Sequence, residues 1–415
     1  MVGAIPAPAN PHLRNQGKLK MSASQTAMNT LSAQWYNAVT TGCSLSKDQF
    51  QLMQGAMPVG ATSANLWKMF DSVPPKTATT FFNPGQLNSL SQDYVGVISA
   101  LIPQGALQFQ KNMGDNYATW NSYKKSIAPI PSGNLAWSQA FTAWANGNLP
   151  QSMVTTCIGD FNTMLSDPIA VAANQLLEVQ FAPKAMNPGV YAYTATIDQL
   201  NLALASAQPK NANLNSSTDS SDVSKTWSET EASGIFDIFG LGGETSHESI
   251  TTQIATAGVN VKAQFSKLVT LAAGPLDEPS KDTVLQSYTP WYNSSALNEG
   301  YQKQDNTVWK SGDAISWSSS FGPSGNLQRY ASALVIVDGI TVTMTSKSGL
   351  SKSDQASFKA AAAGGIFPFF EAEGSGGWSH DTSFNDKGDI TVSSTCPAGN
   401  PQVLGVLVSR IADSL

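Results

Sequence analysis

The chain has 415 residues, a formal net charge of −6, 41% hydrophobic residues and only 13% charged residues. This length allows a sizeable core and favours two domains. The acidic balance and the absence of a basic run exclude nucleic acid as an expected partner. Three widely spaced cysteines, none in a Cys-x-x-Cys pair, exclude a disulfide-rich scaffold and argue against a zinc site.

The charged share is about half of the usual value of roughly 25%, so neutral polar residues must cover most of the surface. Such surfaces repel one another weakly, which favours self-association. Lys124–Lys125 is the only adjacent basic pair. We interpret this pair as part of a solvated helix face.

Residues 1–20 are interpreted as an N-terminal tail. Three prolines interrupt its apolar part, and the basic residues follow that part, so the tail lacks the pattern of a signal peptide. Nowhere does the chain approach the roughly 18 consecutive apolar residues of a membrane-spanning helix. We therefore expect a soluble protein that is cytoplasmic as synthesised, with any release using no signal peptide.

Residues 21–206 show a helical pattern. Apolar residues recur at steps of three and four, as in Met28, Leu31, Trp35 and Val39, which form one helix face. Proline and glycine separate the segments, and this arrangement predicts an all-α bundle of about six antiparallel helices. The predicted helical stretches are about 21–39, 86–102, 106–127 and 134–146, one that opens at an Asp167 cap and Pro168, and one at about 192–206.

Residues 207–249 form a polar linker or hairpin with an apolar tip. Apolar residues almost vanish between 208 and 232, and then SGIFDIFGLGG follows at 233–243. An apolar segment of this size requires a partner, because it would be an aggregation site in water. Its large apolar residues are Ile235, Phe236, Ile238, Phe239 and Leu241.

Residues 250–415 are predicted to be rich in β-structure. Residues 259–271 alternate between apolar and polar, as expected for a half-buried strand. LVIV-DG-ITVTM at 334–344 predicts a hairpin that turns at Asp338–Gly339. A short helix should follow a cap at Ser351 or Ser353 and end at Gly364–Gly365. Further strands are predicted near 366–371, 380–385, 389–395 and 402–410.

The predicted fold class is therefore α+β. An N-terminal all-α helical bundle precedes a C-terminal domain with a mainly antiparallel sheet and one short helix.

Residues able to do chemistry are sparse. The best enzymatic or metal candidate is His380–Asp381 with the acidic residues around it: Glu371, Glu373, Asp386 and Asp389. A calcium site formed by Asp381, Asn385 and Asp389 is a weaker candidate, because the loop glycine falls two positions late. The favoured interpretation is a turn with solvated carboxylates. FGLGG in the tip lacks the third glycine of a dinucleotide loop. We therefore expect no cofactor and no enzyme.

Five aromatic residues lie among Asn, Asp and Ser in loop-like sequence. Exposed rings in such settings stack on sugar rings or lie among lipid headgroups. The alternative is that they cover the sheet as ordinary core residues, which is the commoner fate of tryptophan. These residues are Trp291, Tyr292, Trp309, Trp317 and Trp378.

The tip at 233–243 has three alternative roles. It could meet a membrane as the tip of a hairpin, although the arm at 216–232 lacks the alternation of a spanning strand, which favours shallow insertion. It could dock on the chain's own helical region, the commonest outcome for such segments. It could also insert into a neighbouring subunit and build a polymer or lattice.

From these features we expect a non-enzymatic binding protein, toxin-like, that interacts with membranes or forms pores through its tip. The first alternative is a self-assembling structural protein, a homo-oligomer that uses the same tip. The second alternative is a carbohydrate-binding module centred on the aromatic residues.

Overall fold

The computed structural model describes residues 23–53, 55, 57–76, 82–181, 189–223, 245–362 and 377–415. Within them, helices dominate the N-terminal part and a mainly antiparallel sheet dominates the C-terminal part, which confirms the α+β class. The helices are α1 (Ala23–Gly42), α2 (Ser63–Phe70), α3 (Leu90–Ala100), α4 (Ala106–Met113), α5 (Asn116–Ser126), α6 (Gly133–Asn148), α7 (Gln151–Leu165), α8 (Pro168–Phe181), α9 (Ile197–Ser206), α10 (Thr245–Ala257), α11 (Ser294–Gln302), α12 (Trp317–Phe321) and α13 (Lys352–Ala361). The strands are β1 (Phe50–Leu52), β2 (Gln208–Asn215), β3 (Val259–Ala272), β4 (Arg329–Ser346), β5 (Ser379–Phe384), β6 (Ile390–Cys396) and β7 (Gln402–Arg410).

Most N-terminal helices, namely α1, α3, α4, α5, α6, α8 and α9, lie in stretches where apolar periodicity predicts a helix, whereas α2 and α7 were not predicted. Local capping sets several helix ends. Asp167 Oδ1 accepts a hydrogen bond from Ile169 N at 2.8 Å, next to Pro168 in the first turn of α8. Thr196 and Gln199 form a capping box at the start of α9. The predicted helix at 106–127 is two helices, α4 and α5, that meet at Gly114, whose φ is +53°.

The sheet is organised around the 18-residue strand β4. On one side β3 pairs with β4 along its whole length, and β2 pairs with the outer edge of β3. On the other side β7 pairs with the first half of β4 and β6 with the second half. β5 extends the sheet beyond β6, and β1, from the N-terminal part, extends it beyond β7. All these pairings are antiparallel.

The hairpin predicted at 334–344 is wrong, because β4 continues through Asp338–Gly339 without turning. The strand changes partner there, from β7 to β6. Asp338 Oδ1 accepts hydrogen bonds from Gly399 N at 2.8 Å and Asn400 N at 3.1 Å, and so holds the connection between β6 and β7. Gly339 has a φ of +65°, so the glycine serves a kink within the strand instead of a two-residue turn.

This kink also changes which side chains point to each face of the sheet. Val335 and Val337 lie in the same core as Ile340 and Val342, so the period of two shifts by one residue at the kink. β3 shifts opposite it, because Phe265 belongs to this core and Val269 to the core on the other face. The alternation that predicted β3 is real, but two different cores bury its two halves.

Three cores hold the described residues together. The first lies between the sheet and a layer that contains α2, α3, α8, α9 and α11. The second lies on the opposite face, between the sheet and α1, α10 and α13. The third lies within α4 to α7. Because α1 and β1 join the C-terminal strands in the second core, both parts of the chain share it; the domain boundaries at 206 and 249 stay predictions.

Most other predicted C-terminal elements are present. β3, β5, β6 and β7 coincide with predicted strands to within about a residue or two, the normal uncertainty of element ends. Ser351 caps α13, since its Oγ accepts a hydrogen bond from Asp354 N at 3.2 Å. The strand predicted at 366–371 and the helix stop at Gly364–Gly365 lie outside the described residues.

Gly339→Ala should destabilise the fold by about 1–3 kcal/mol, because alanine is strained at positive φ. Its Cβ would also lie 2.7 Å from Ser266 Oγ. Urea denaturation measures the change in the free energy of unfolding. The control is Gly159→Ala in α7, where no atom lies within 4 Å of an added Cβ. This control should stabilise the protein by up to about 1 kcal/mol. Equal effects of the two substitutions would contradict the prediction.

Candidate functional site

The apolar tip at 233–243, with Ile235, Phe236, Ile238, Phe239 and Leu241, lies outside the described residues. The structure does describe the chain up to residue 223 and from residue 245 onward. We call the segment between residues 223 and 245 the insert, and the chain just before and just after it the first and second approach. These two approaches show how the insert is attached to the fold.

Helix α1 holds the first approach by hydrogen bonds to backbone carbonyls. Gln34 Nε2 donates to Ser216 O at 3.0 Å and to Asp219 O at 2.6 Å. One turn further on, Asn37 Nδ2 donates to Ser220 O at 2.9 Å and to Asp222 O at 2.8 Å. Both amides are nearly buried, so these bonds are shielded from water. We call Gln34 and Asn37 the α1 clamp.

Helix α10 forms the second approach and is buried on the same side of the sheet. Ile250 and Ile254 belong to the second core, which α10 shares with α1. Ser346 Oγ, in β4, donates to Ile254 O at 3.2 Å. Ser216 Oγ accepts from Val259 N at 2.7 Å, which ties the first approach to the start of β3. Both ends of the insert are therefore attached to one layer of the fold.

The five aromatic residues do not form one site. Trp291 is 0% exposed and its Nε1 donates to Ala192 O at 2.6 Å. Trp309 is 4% exposed and its Nε1 donates to Gly300 O and Lys303 O. These two rings have no free face for stacking and fit the alternative role of core residues. Tyr292 is partly buried against Tyr94, with ring centroids 5.0 Å apart.

Trp317 and Trp378 keep some exposed surface, but they lie on opposite faces of the sheet. Trp317 packs against the first core, and its Nε1 donates to Tyr301 O at 2.8 Å. Trp378 packs against the second core and stacks on His380, with centroids 5.8 Å apart. The structure therefore brings no two of the exposed aromatic candidates together.

The proposed metal ligands also separate. Asn385 closes the turn between β5 and β6, because its Oδ1 accepts from Lys387 N and Asp389 N and its Nδ2 donates to Asp389 Oδ2 at 2.9 Å. Asp381 lies along β5, opposite Ser393, and not in this turn. In the described ranges, no three His, Cys, Asp or Glu side chains are grouped to hold a metal ion. Glu371 and Glu373 lie outside those ranges.

The three cysteines are free and buried. Burial raises the pKa of the Cys43 thiol to about 12, and burial also raises the pKa values of Cys157 and Cys396. Since the thiolate is the reactive form, these thiols are suited to packing and not to nucleophilic attack.

Lys124 was missed by sequence reasoning, which placed it on a solvated face. Its Nζ lies 4.9 Å from the centroid of the Trp137 ring and donates to Asn174 Oδ1 at 2.9 Å. Burial lowers the pKa of this amine to about 8. Trp137 and Asn174 lie on other helices, so no local signal could have identified the contact.

Two arginines were also missed. Arg329 begins β4 and Arg410 ends β7, and the ladder between these strands places them opposite each other at one end of the sheet. They line a cavity of about 620 Å³. They are far apart in the chain, so only the tertiary structure makes them neighbours.

No protein-family model, curated protein or solved structure matches this chain. None of the helices in the described part of the chain has the length and apolar composition that crossing a bilayer requires.

Asn37→Ala should weaken the α1 clamp. Loss of two partly buried hydrogen bonds should lower the free energy of unfolding by about 1–3 kcal/mol and speed amide exchange at residues 216–222. Amide hydrogen exchange followed by mass spectrometry measures which segment opens and how often it opens. Asn146→Ala removes an exposed amide that donates within its own helix, to Thr142 O, and is the matched control. Unchanged exchange at 216–222 would show that the clamp does not hold this segment.

Lys124 should make stability rise with pH. Its pKa is lower in the folded state than the unfolded value near 10.4, so the unfolded chain binds more protons between about pH 8 and 10. The free energy of unfolding should therefore increase more over this range in the wild type than in Lys124→Met. Urea denaturation at each pH tests this, with Lys125→Met as the exposed neighbouring control. Identical pH slopes in wild type and Lys124→Met would refute it.

Proposed function

We propose that this chain is a non-enzymatic binding protein that attaches to a membrane surface by shallow insertion of the tip at 233–243. The supporting observation is the attachment of a strongly apolar insert at both ends to one layer of the fold. The α1 clamp holds the approach before it, and Ile250 and Ile254 anchor the helix after it. Fixed approaches reduce the entropy lost when the insert binds its target.

A second segment of the chain resembles the tip. Gly-Ile-Phe-Asp-Ile-Phe occurs at 234–239 and Gly-Ile-Phe-Pro-Phe-Phe at 365–370. Both segments lie outside the described residues, but their approaches are attached to the same core. Phe358 and Ala362, which precede the second segment, are buried in the second core with the residues of α10. Gln253 of α10 also donates to Ser348 O at 2.8 Å, close to the start of α13. We therefore propose that the two segments act as a pair.

The composition of the tip suits an interface better than a full crossing. Each of its large apolar side chains contributes roughly 1.5–3 kcal/mol when fully buried. Asp237, in the middle of the tip, is costly in hydrocarbon but tolerated among headgroups. These properties favour reversible attachment to a surface. They also favour attachment over pore formation, because a pore requires a full crossing of the bilayer.

Self-assembly is the second candidate. The charged share of 13% leaves little repulsion between copies, and the same two apolar segments could insert into a neighbouring subunit. No observation favours the carbohydrate-binding alternative, since the exposed aromatic candidates lie on opposite faces of the sheet.

Vesicle flotation and dye release test the proposal directly. Wild-type protein should float with phosphatidylcholine–phosphatidylserine vesicles, and Phe236→Asp/Phe239→Asp should reduce the bound fraction at least tenfold. Phe367→Asp/Phe369→Asp should reduce it as well, if the segments act as a pair. The matched control is Leu135→Asp/Leu202→Asp, which adds the same charge at leucines that are 74% and 75% exposed.

Failure of the wild type to bind vesicles, or equal binding by wild type and tip variant, would refute membrane attachment. Light scattering at micromolar concentration then tests self-assembly. A strictly monomeric wild type would refute that candidate, whereas assembly lost in the tip variant but kept in the control would support it.

A further inference from the structure

A buried arginine is among the residues that line the cavity at the end of β4 and β7. Arg329 is only 5% exposed, although arginine is almost never buried without a partner. Its backbone is fixed by the ladder to Arg410, and Ile411 N donates to Gln328 O at 3.0 Å just beyond that pair. The backbone that carries this guanidinium is therefore held by the sheet and not by a mobile loop.

The hydrogen-bonding capacity of this guanidinium is mostly unused. Its Nη2 donates to Gln328 Oε1 at 2.8 Å, while its Nη1 is buried and has no partner among the described residues. No carboxylate in the described part of the chain lies within 4 Å of it. A buried cation without a counter-charge is strongly unfavourable, so the site is incomplete as it stands.

A second cation lies at the same end of the sheet. Arg410 lies directly opposite Arg329 across the β4–β7 ladder, so the two side chains start about 5 Å apart on one face of the sheet. Burial, and to a smaller extent the charge of Arg410, lower the pKa of Arg329 to about 10. Like charges placed directly opposite each other destabilise a sheet.

The remaining lining is suited to a small polar ligand. Tyr301 and Tyr330 contribute to the wall, and Ser409 and Ser414 add hydroxyl groups. Asp48 and Asp413 also line the cavity but are exposed, where water screens their charge. These two carboxylates disfavour highly charged polyanions and leave room for a ligand with one or two negative charges.

We propose that this cavity binds the oxyanion group of a small molecule, a carboxylate or a phosphate, between Arg329 and Arg410. Arginine presents a planar fork that matches both groups through paired hydrogen bonds. The ligand reaches Nη1 when the Gln328 side chain releases Nη2 and the guanidinium turns toward the cavity. Arg410, which is exposed, supplies the second contact at the mouth. This site lies apart from the proposed membrane tip and does not depend on it.

Isothermal titration of the full chain with inorganic phosphate, and separately with succinate, tests the proposal. A low-millimolar or tighter Kd is expected for at least one of them, and the arm that binds identifies the chemistry. Arg410→Gln should weaken that binding at least tenfold. Lys359→Gln removes an exposed cation on α13, on the other side of the sheet, and should leave the Kd unchanged.

Arg329→Lys provides the second variant, because it keeps the charge but loses the fork. It should weaken binding at least fivefold, and circular dichroism checks that it folds. If Arg329→Lys does not fold, Arg410→Gln alone decides the outcome. The proposal is overturned if neither phosphate nor succinate binds the wild type below 20 mM, or if Arg410→Gln binds as tightly as the wild type.

Discussion

The fold depends on the continuity of β4 through Asp338 and Gly339. β3 pairs along its full length, whereas β7 and β6 share its other edge and meet where the strand kinks. The Asp338 carboxylate holds the connection between β6 and β7 at that junction, with Lys267 Nζ 3.9 Å away. If β4 turned back at Asp338, β6 and β7 would have no common strand, and the second core would lose the wall that both halves of β4 provide.

The parts of this fold that local chemistry determines could be predicted from the sequence. Most N-terminal helices follow apolar periodicity, although α2 and α7 were not predicted. The caps at Asp167 and Ser351 act on backbone groups only two or three residues away. The Asp338–Gly339 pair shows where this reasoning fails. An Asp-Gly sequence indicates a residue at positive φ, and that much was correct. Whether the chain turns or continues there depends on Ser266 and Gly399, which are distant in sequence.

For the candidate sites too, local features could be predicted from the sequence and contacts between distant residues could not. Composition identified the aromatic residues but could not distinguish Trp291 from Trp378. Trp291 is buried and donates to Ala192 O, whereas Trp378 keeps exposed surface. The contact of Lys124 with Trp137 and the pairing of Arg329 with Arg410 arise only when separate elements come together. Strand pairing can place two like charges next to each other although they are far apart in the sequence, and no short stretch of sequence shows this. The tip was identifiable because its apolar residues lie close together in the sequence. The structure adds how the segments on either side of it are held.

β1 has a consequence for the order in which the protein is assembled. This strand of three residues pairs with the last strand of the sheet, so that Phe50 lies opposite Leu407. Such a contact joins residues roughly 350 positions apart, and closing long loops is slow. The pairing of β1 cannot form until β7 has been made. We therefore expect this edge of the sheet to form last.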